Sequence, residues 1–104
     1  MAYKVFRSKS FNDKLAKMDT EFQRWVEKVE NQLAENPYAG DPLGMKWFRE
    51  KKHGKFRLYF LVYEDKKTVY IVAMGDKKSQ QKTINTIKLL VDVYREEIGS
   101  LDFT

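Results

Sequence analysis

Between Met45 and Lys82 the chain carries eleven lysines and arginines against four carboxylates, a net of +7, while residues 1–44 sum to zero and residues 83–104 to −2. The whole positive excess of a +5 protein therefore lies in one segment. A run of charge is by default a solvated face, so what interleaves it decides its meaning. From Met45 to Lys51 and from Lys55 to Glu64 the residues alternate with the period of strands, which predicts Trp47, Arg49 and Lys51, then Lys55, Arg57 and Tyr59, on one face of each strand. Phe48, Phe56, Leu58, Phe60 and Val62 fall on the opposite face and read as core. Fixed cations beside aromatic rings suit a polyanion with stackable bases, which means nucleic acid. Lys46, Lys52, Lys55, Lys78, Lys82 and Tyr59 are the residues expected to hold it.

Arg57 sits mid-strand between Phe56 and Leu58, where an apolar residue would pack better, so its charge needs solvent or a partner. A cross-strand ion pair with Glu50 is the structural account. The functional account places Arg57 with Arg49 and Lys51, one strand over, as a clamp on a scissile phosphate during in-line attack by a ribose 2′-hydroxyl. No metal is needed for that chemistry. Lys77, Lys78 and Lys82 head the last expected helix, an unfavourable place for cations unless a phosphate joins them at the free helix N–H groups; otherwise they point into water. His53, in an expected turn, is the one side chain with an ordinary pKa near neutrality and a candidate general acid or base, with plain surface polarity as the alternative.

Zero cysteines remove disulfides, thiol nucleophiles and thiolate metal sites, and one histidine without clustered carboxylates argues against a transition-metal centre. Neither a metal nor a cofactor is expected. There is no run of 18 apolar residues and no signal-peptide core in MAYKVFRSKS, so no membrane is involved and a cytoplasmic protein is expected. At 104 residues the chain reads as one domain over residues 1–99, with residues 100–104 a loose tail after Gly99.

The elements that must position these residues follow from periodicity. A first strand runs over Ala2 to Arg7, and a short helix begins at Ser10 with Asp13 three residues on. Asp19 or Thr20 caps a second helix whose stripe is Phe22, Trp25, Val26, Val29 and Leu33. Asn36-Pro37 stops it, and the loop NPYAGDPLG feeds strands near Met45 to Lys51, Lys55 to Glu64 and Lys67 to Met74. Ile84, Ile87, Val91, Tyr94 and Ile98 predict one long last helix. The order is β-α-α-β-β-β-α, an α+β domain built on a small antiparallel sheet.

The ordered set ENPYAGDPLG, GKFRLYFLVYED and TVYIVAMGDKK resembles the RelE/ParE superfamily of toxin–antitoxin modules over nearly the whole chain, and GDKKSQQKTI resembles the GDKSxQ variant of members known as addiction-module killer proteins. The resemblance implies helices against one face of the sheet, a cognate antitoxin as partner, and a metal-independent endoribonuclease that cuts mRNA on the ribosome. On the family's pattern the strand arginine matches Arg57, its strand-two cations match Arg49 and Lys51 approximately, and the cation after the last strand matches Lys77. Many active relatives carry a Tyr or His a few residues further on, where this chain has Gln80, Gln81, Lys82 and Thr83, so the general base is unassigned. The alternatives are a ParE-like topoisomerase inhibitor that cleaves nothing and a non-catalytic RNA or ribosome binder.

Overall fold

A computed structural model describes residues 2–101 as a five-stranded sheet in the order β1-β5-β4-β3-β2 with two pairs of helices. The α+β class stands, and three details differ from the expected order. Asp41–Met45, read as loop, forms an extra strand, β2, on the sheet edge, where Pro42 costs no ladder bond that a neighbour needs. The remaining strands are β1 (Lys4–Arg7), β3 (Phe48–His53), β4 (Phe56–Tyr63) and β5 (Thr68–Asp76). Because β1 pairs with β5 in parallel, the sheet is mixed and not purely antiparallel.

The third difference is the last helix, which is two: α3 (Gln80–Leu89) and α4 (Val91–Leu101). The break at Leu90 keeps Ile84 and Ile87 of α3, and Tyr94 and Ile98 of α4, on the same sheet face, and leaves Leu89 at the elbow 85% exposed. α4 runs two residues past Gly99, through Ser100 and Leu101, and the rest of the expected tail, residues 102–104, lies outside the described residues. No helix among the described residues is long and apolar enough to cross a membrane.

The N-terminal pair is α1 (Lys9–Leu15), capped by Ser8 rather than Ser10, and α2 (Thr20–Glu35), capped by the Asp19 carboxylate on the Phe22 N–H. Ser8 wins the first cap because its hydroxyl reaches the Phe11 N–H while its own N–H is held by the Ile71 carbonyl.

Helices cover both faces of the sheet, not one. Phe11, Leu15, Phe22, Val26, Val29 and Leu33 pack on Leu58, Phe60, Val62, Val69, Ile71 and Met74. On the other side, α3 and α4 pack on Phe48, Tyr59, Leu61, Tyr63, Tyr70 and Val72. Each of these large side chains contributes about 1.5–3 kcal/mol by leaving water. β4 is consequently buried at every position from Arg57 to Tyr63.

Gly40, at φ +83, is where the β2 loop touches β3: an added Cβ would collide with the Glu50 backbone carbonyl. Gly40→Ala is therefore expected to destabilise the fold by more than about 2 kcal/mol, from the left-handed backbone and the displaced strand together. Urea denaturation checks it, and an unchanged midpoint would show that the β2 loop is free of β3.

Candidate nucleic-acid interface

The β3–β4 hairpin decides which basic residues can act together. His53 pairs with Phe56 across a two-residue turn of Gly54 and Lys55, so every odd residue of β3 faces an even residue of β4. Residues opposite one another in an antiparallel pair share a face. Arg49 therefore lies with Phe60, Lys51 with Leu58 and His53 with Phe56, all on the α1–α2 side. Glu50 lies with Tyr59 and Lys52 with Arg57, on the α3–α4 side. The expected cluster of Arg49, Lys51 and Arg57 on one face does not form, because the short turn fixes the two alternations out of phase.

Arg49, His53 and Lys46 have partners of their own. Arg49 donates to the carbonyls of Gly40 (2.9 Å), Lys46 (3.1 Å) and Ala39 (3.4 Å), which makes it a clasp for the β2 loop. His53 stacks on Trp25, ring centroids 4.7 Å apart and planes 22° from parallel, and meets Phe22 edge-on. Lys46 lies over the Tyr38 ring at 4.6 Å, beside a cavity of about 310 Å³ with Trp47 and Tyr63 at the end of β4 away from Arg57. Lys82 lines a groove with Ser10, Lys14 and Thr83, between α1 and α3.

Around Arg57 the structure assembles a different group. Arg57 is only 8% exposed, so it does not lie on a wet face; its Nη1 donates to the carbonyls of Gly54 (2.9 Å) and Phe56 (3.0 Å), and its Nε is buried with no partner. The ion pair with Glu50 is not formed. Glu50, buried at 3%, instead accepts a bond from Gln80 Nε2 (2.9 Å) and stands 4.0 Å from Lys52 Nζ, which also reaches Asp41 at 3.5 Å. Tyr59, offered by the sequence as a stacking surface for RNA, is wholly buried, and its hydroxyl has no partner. Burial, then the Glu50 charge, push its phenol up to about 12, against the opposing pull of Arg57.

The Lys77 N–H donates to the Lys55 carbonyl, and Lys55, Lys77, Lys78 and Asp76 line a hollow of about 570 Å³ at the same corner. The helix N–H groups expected to serve a phosphate are partly taken: the Asp76 carboxylate accepts from the Ser79 N–H at 2.9 Å, and that bond holds Asp76 below the usual carboxylate range. Gly75, opposite Arg57 in the ladder, lets the Ser79 turn sit close, since a Cβ there would lie 3.0 Å from the Ser79 hydroxyl. Arg57, Lys52, Lys55, Lys77 and Lys78 are thus the expected cations the fold brings to one corner. Asp41 is the member the sequence reading missed, and Glu50 entered it only as an ion-pair partner of Arg57 and Gln80 only as a replaced position, although the length of the hairpin turn carried the signal.

By sequence, residues 5–81 match the family described as ParE toxin of type II toxin-antitoxin system, parDE. The chain belongs to that family, within the RelE/ParE superfamily, and is a toxin of the RelE/ParE type. No curated protein matches it by sequence. By structure it is similar to an arginine-substituted mutant of the E. coli toxin RelE in the free state, with TM-score 0.73 and 19% identity over 86% of this chain and 99% of that one. It is also similar to a toxin–antitoxin complex RelBE of Mycobacterium tuberculosis (TM-score 0.64, 20% identity, 73% of this chain and 99% of that one). A third match is the RelE–RelB complex of Pyrococcus horikoshii, with TM-score 0.61 and 16% identity over 73% of this chain and 96% of that one.

The orphaned hydroxyl of Tyr59 yields a stability forecast. A buried polar group without a partner costs about 1–3 kcal/mol, so Tyr59→Phe should raise stability by about 1 kcal/mol. The phenol's folded pKa lies above its unfolded value near 10, so the wild type keeps its neutral-pH stability below about pH 10 and loses part of it as pH rises toward about 12. Urea midpoints of the two proteins at pH 7 and pH 11 check both: the gap between them should widen at pH 11, and a less stable Tyr59→Phe protein would show that the hydroxyl is bonded.

Proposed function

We propose that this toxin is a metal-independent endoribonuclease that cuts mRNA on the ribosome, in the cytoplasm, and is neutralised by a cognate antitoxin. The observation that carries the reading is Arg57. A buried guanidinium with an unpartnered Nε is costly to keep, and Lys52, Lys55, Lys77 and Lys78 gather at the same corner. A phosphate arriving there meets one preorganised planar donor set and several mobile cations, the arrangement that stabilises charge on a scissile phosphoryl group. The antitoxin part is supported by relatives solved as complexes, the E. coli RelE mutant with an antitoxin RelB peptide and the Pyrococcus horikoshii RelE–RelB pair.

A second reading is favoured by Glu50 and by the family description. A carboxylate on the face of Arg57, with Arg49 and Lys51 turned away, leaves the corner less cationic than the sequence suggested, as suits a ParE-like topoisomerase inhibitor that cuts nothing. Supercoiling by purified gyrase with and without the protein separates the two.

The test of the first reading is Arg57→Lys beside Arg57→Ala. Arg57 ties the hairpin turn to β4, so Arg57→Ala should lower stability by about 1–3 kcal/mol as well as abolish cleavage. Arg57→Lys keeps the charge and loses the fork; it should stay folded and cleave ribosome-bound mRNA about a hundredfold more slowly. RNA 5′-end mapping and urea midpoints on the same preparations give both quantities. A folded Arg57→Lys protein that cleaves at the wild-type rate would refute the assignment.

A further inference from the structure

We propose that the Glu50 carboxylate is the general base of this site, covered by Gln80 until substrate arrives. The inference rests on the ribonuclease reading. It starts from a side chain that the phosphate clamp does not explain: an anion buried to 3% exposure on the same sheet face as Arg57, where it opposes phosphate binding.

Burying a carboxylate costs free energy that its contacts must offset, and Glu50 has few. Its Oε2 accepts one neutral hydrogen bond, from Gln80, and its Oε1 has the Lys52 ammonium at 4.0 Å, a cation shared with Asp41. Arg57, the strongest donor nearby, spends itself on two backbone carbonyls and leaves Nε without a partner. A cluster selected for stability would join Glu50 to Arg57 directly. Base and guanidinium held on adjacent strands of one sheet face without bonding each other are what a reaction needs: the carboxylate at the attacking hydroxyl and the guanidinium at the phosphoryl oxygens.

The step balances without a metal. Glu50 takes the proton of the ribose 2′-hydroxyl, the 2′-oxygen bonds to phosphorus, and the bond from phosphorus to the 5′-oxygen breaks. The leaving oxygen keeps that electron pair and takes a proton from water, while Glu50 returns its own to solvent. The products are a 2′,3′-cyclic phosphate and a 5′-hydroxyl. Gln80, half-buried at the head of α3, covers Oε2 by one rotatable side chain, so its rotation opens the carboxylate with no movement of the backbone.

The test uses the full chain with ribosomes programmed with mRNA and compares Glu50→Gln with the wild type. Glu50→Gln is isosteric, and its amide can still accept from Gln80, so the urea midpoint controls for folding. Two rates and affinities are read: cleavage of the mRNA, and binding to ribosomes carrying the same mRNA with 2′-O-methyl groups that block attack. A base predicts cleavage slowed about 100- to 10,000-fold with binding equal to or tighter than wild type, since a charge that repels phosphate is gone. Glu50→Asp, which keeps the charge and withdraws it by one methylene, should recover part of the rate. A folded Glu50→Gln protein that cleaves at the wild-type rate or faster overturns the inference while the ribonuclease reading stands on Arg57. If the wild type cleaves no RNA, both fall. If Glu50→Gln and Glu50→Asp lose cleavage only in proportion to lost folded protein, Glu50 is a structural anchor for α3 and the inference is wrong.

Discussion

The two-residue turn at Gly54 and Lys55 is the constraint on which the rest of this site depends. By pairing His53 with Phe56 it fixes which side of the sheet every residue of β3 shares with β4. A turn one residue longer would shift the pairing and carry Arg49 and Lys51 across to the face of Arg57, with Glu50 and Lys52 leaving it. The hairpin therefore sets the electrostatics of the corner, and Gly54, at φ +59, is the residue that lets the turn be that short.

Covering both faces gives the register its energetic weight. In a sheet with one wet face, a one-residue slip turns the whole apolar set of a strand to water, whereas β4 here has an apolar layer on each side, Leu58, Phe60 and Val62 against α1–α2 and Tyr59, Leu61 and Tyr63 against α3–α4. Any slip would push Arg57 or Glu50 into one of those layers. The price is that polar groups on β4 are closed off from water, which is why Arg57 Nε, Tyr59 and Tyr63 each end with an unpartnered buried atom. Such groups concentrate where a structure has been shaped for something other than stability.

How much of this was legible in the sequence differs by level. The amphipathic stripe of α2 and the strand runs were readable because one interaction, burial of an apolar face, dominates each of them. β2 escaped notice because Pro42 and Gly44 read as loop, and only pairing with β3 makes an edge strand of them. The break at Leu90 carries no proline or glycine, so no residue type in the apolar stripe marks it. Arg57 stood out as a charge in an apolar run, and the fold buries it on the α3–α4 face opposite Lys52. Its companions were misassigned because alternation within a strand says nothing about phase between strands.

Phase also explains why the basic excess overstated the site. Counting charge along residues 45–82 adds cations that the fold then disperses, Arg49 to the β2 loop, His53 to the stack on Trp25, Lys46 to Tyr38 and Lys82 to the α1–α3 groove. What remains beside Arg57 is Lys52, Lys55, Lys77 and Lys78 with Glu50, Asp41 and Asp76 among them. A field of that mixed sign is weak at a distance and strong only at contact, because opposed charges a few ångströms apart cancel beyond about a Debye length. On the ribonuclease reading proposed above, long-range attraction to RNA would fall to the exposed lysines, and discrimination at the phosphate to the buried arginine and the carboxylate beside it. Such a division, diffuse capture by exposed cations and local chemistry by fixed groups, would follow from where burial begins on the sheet.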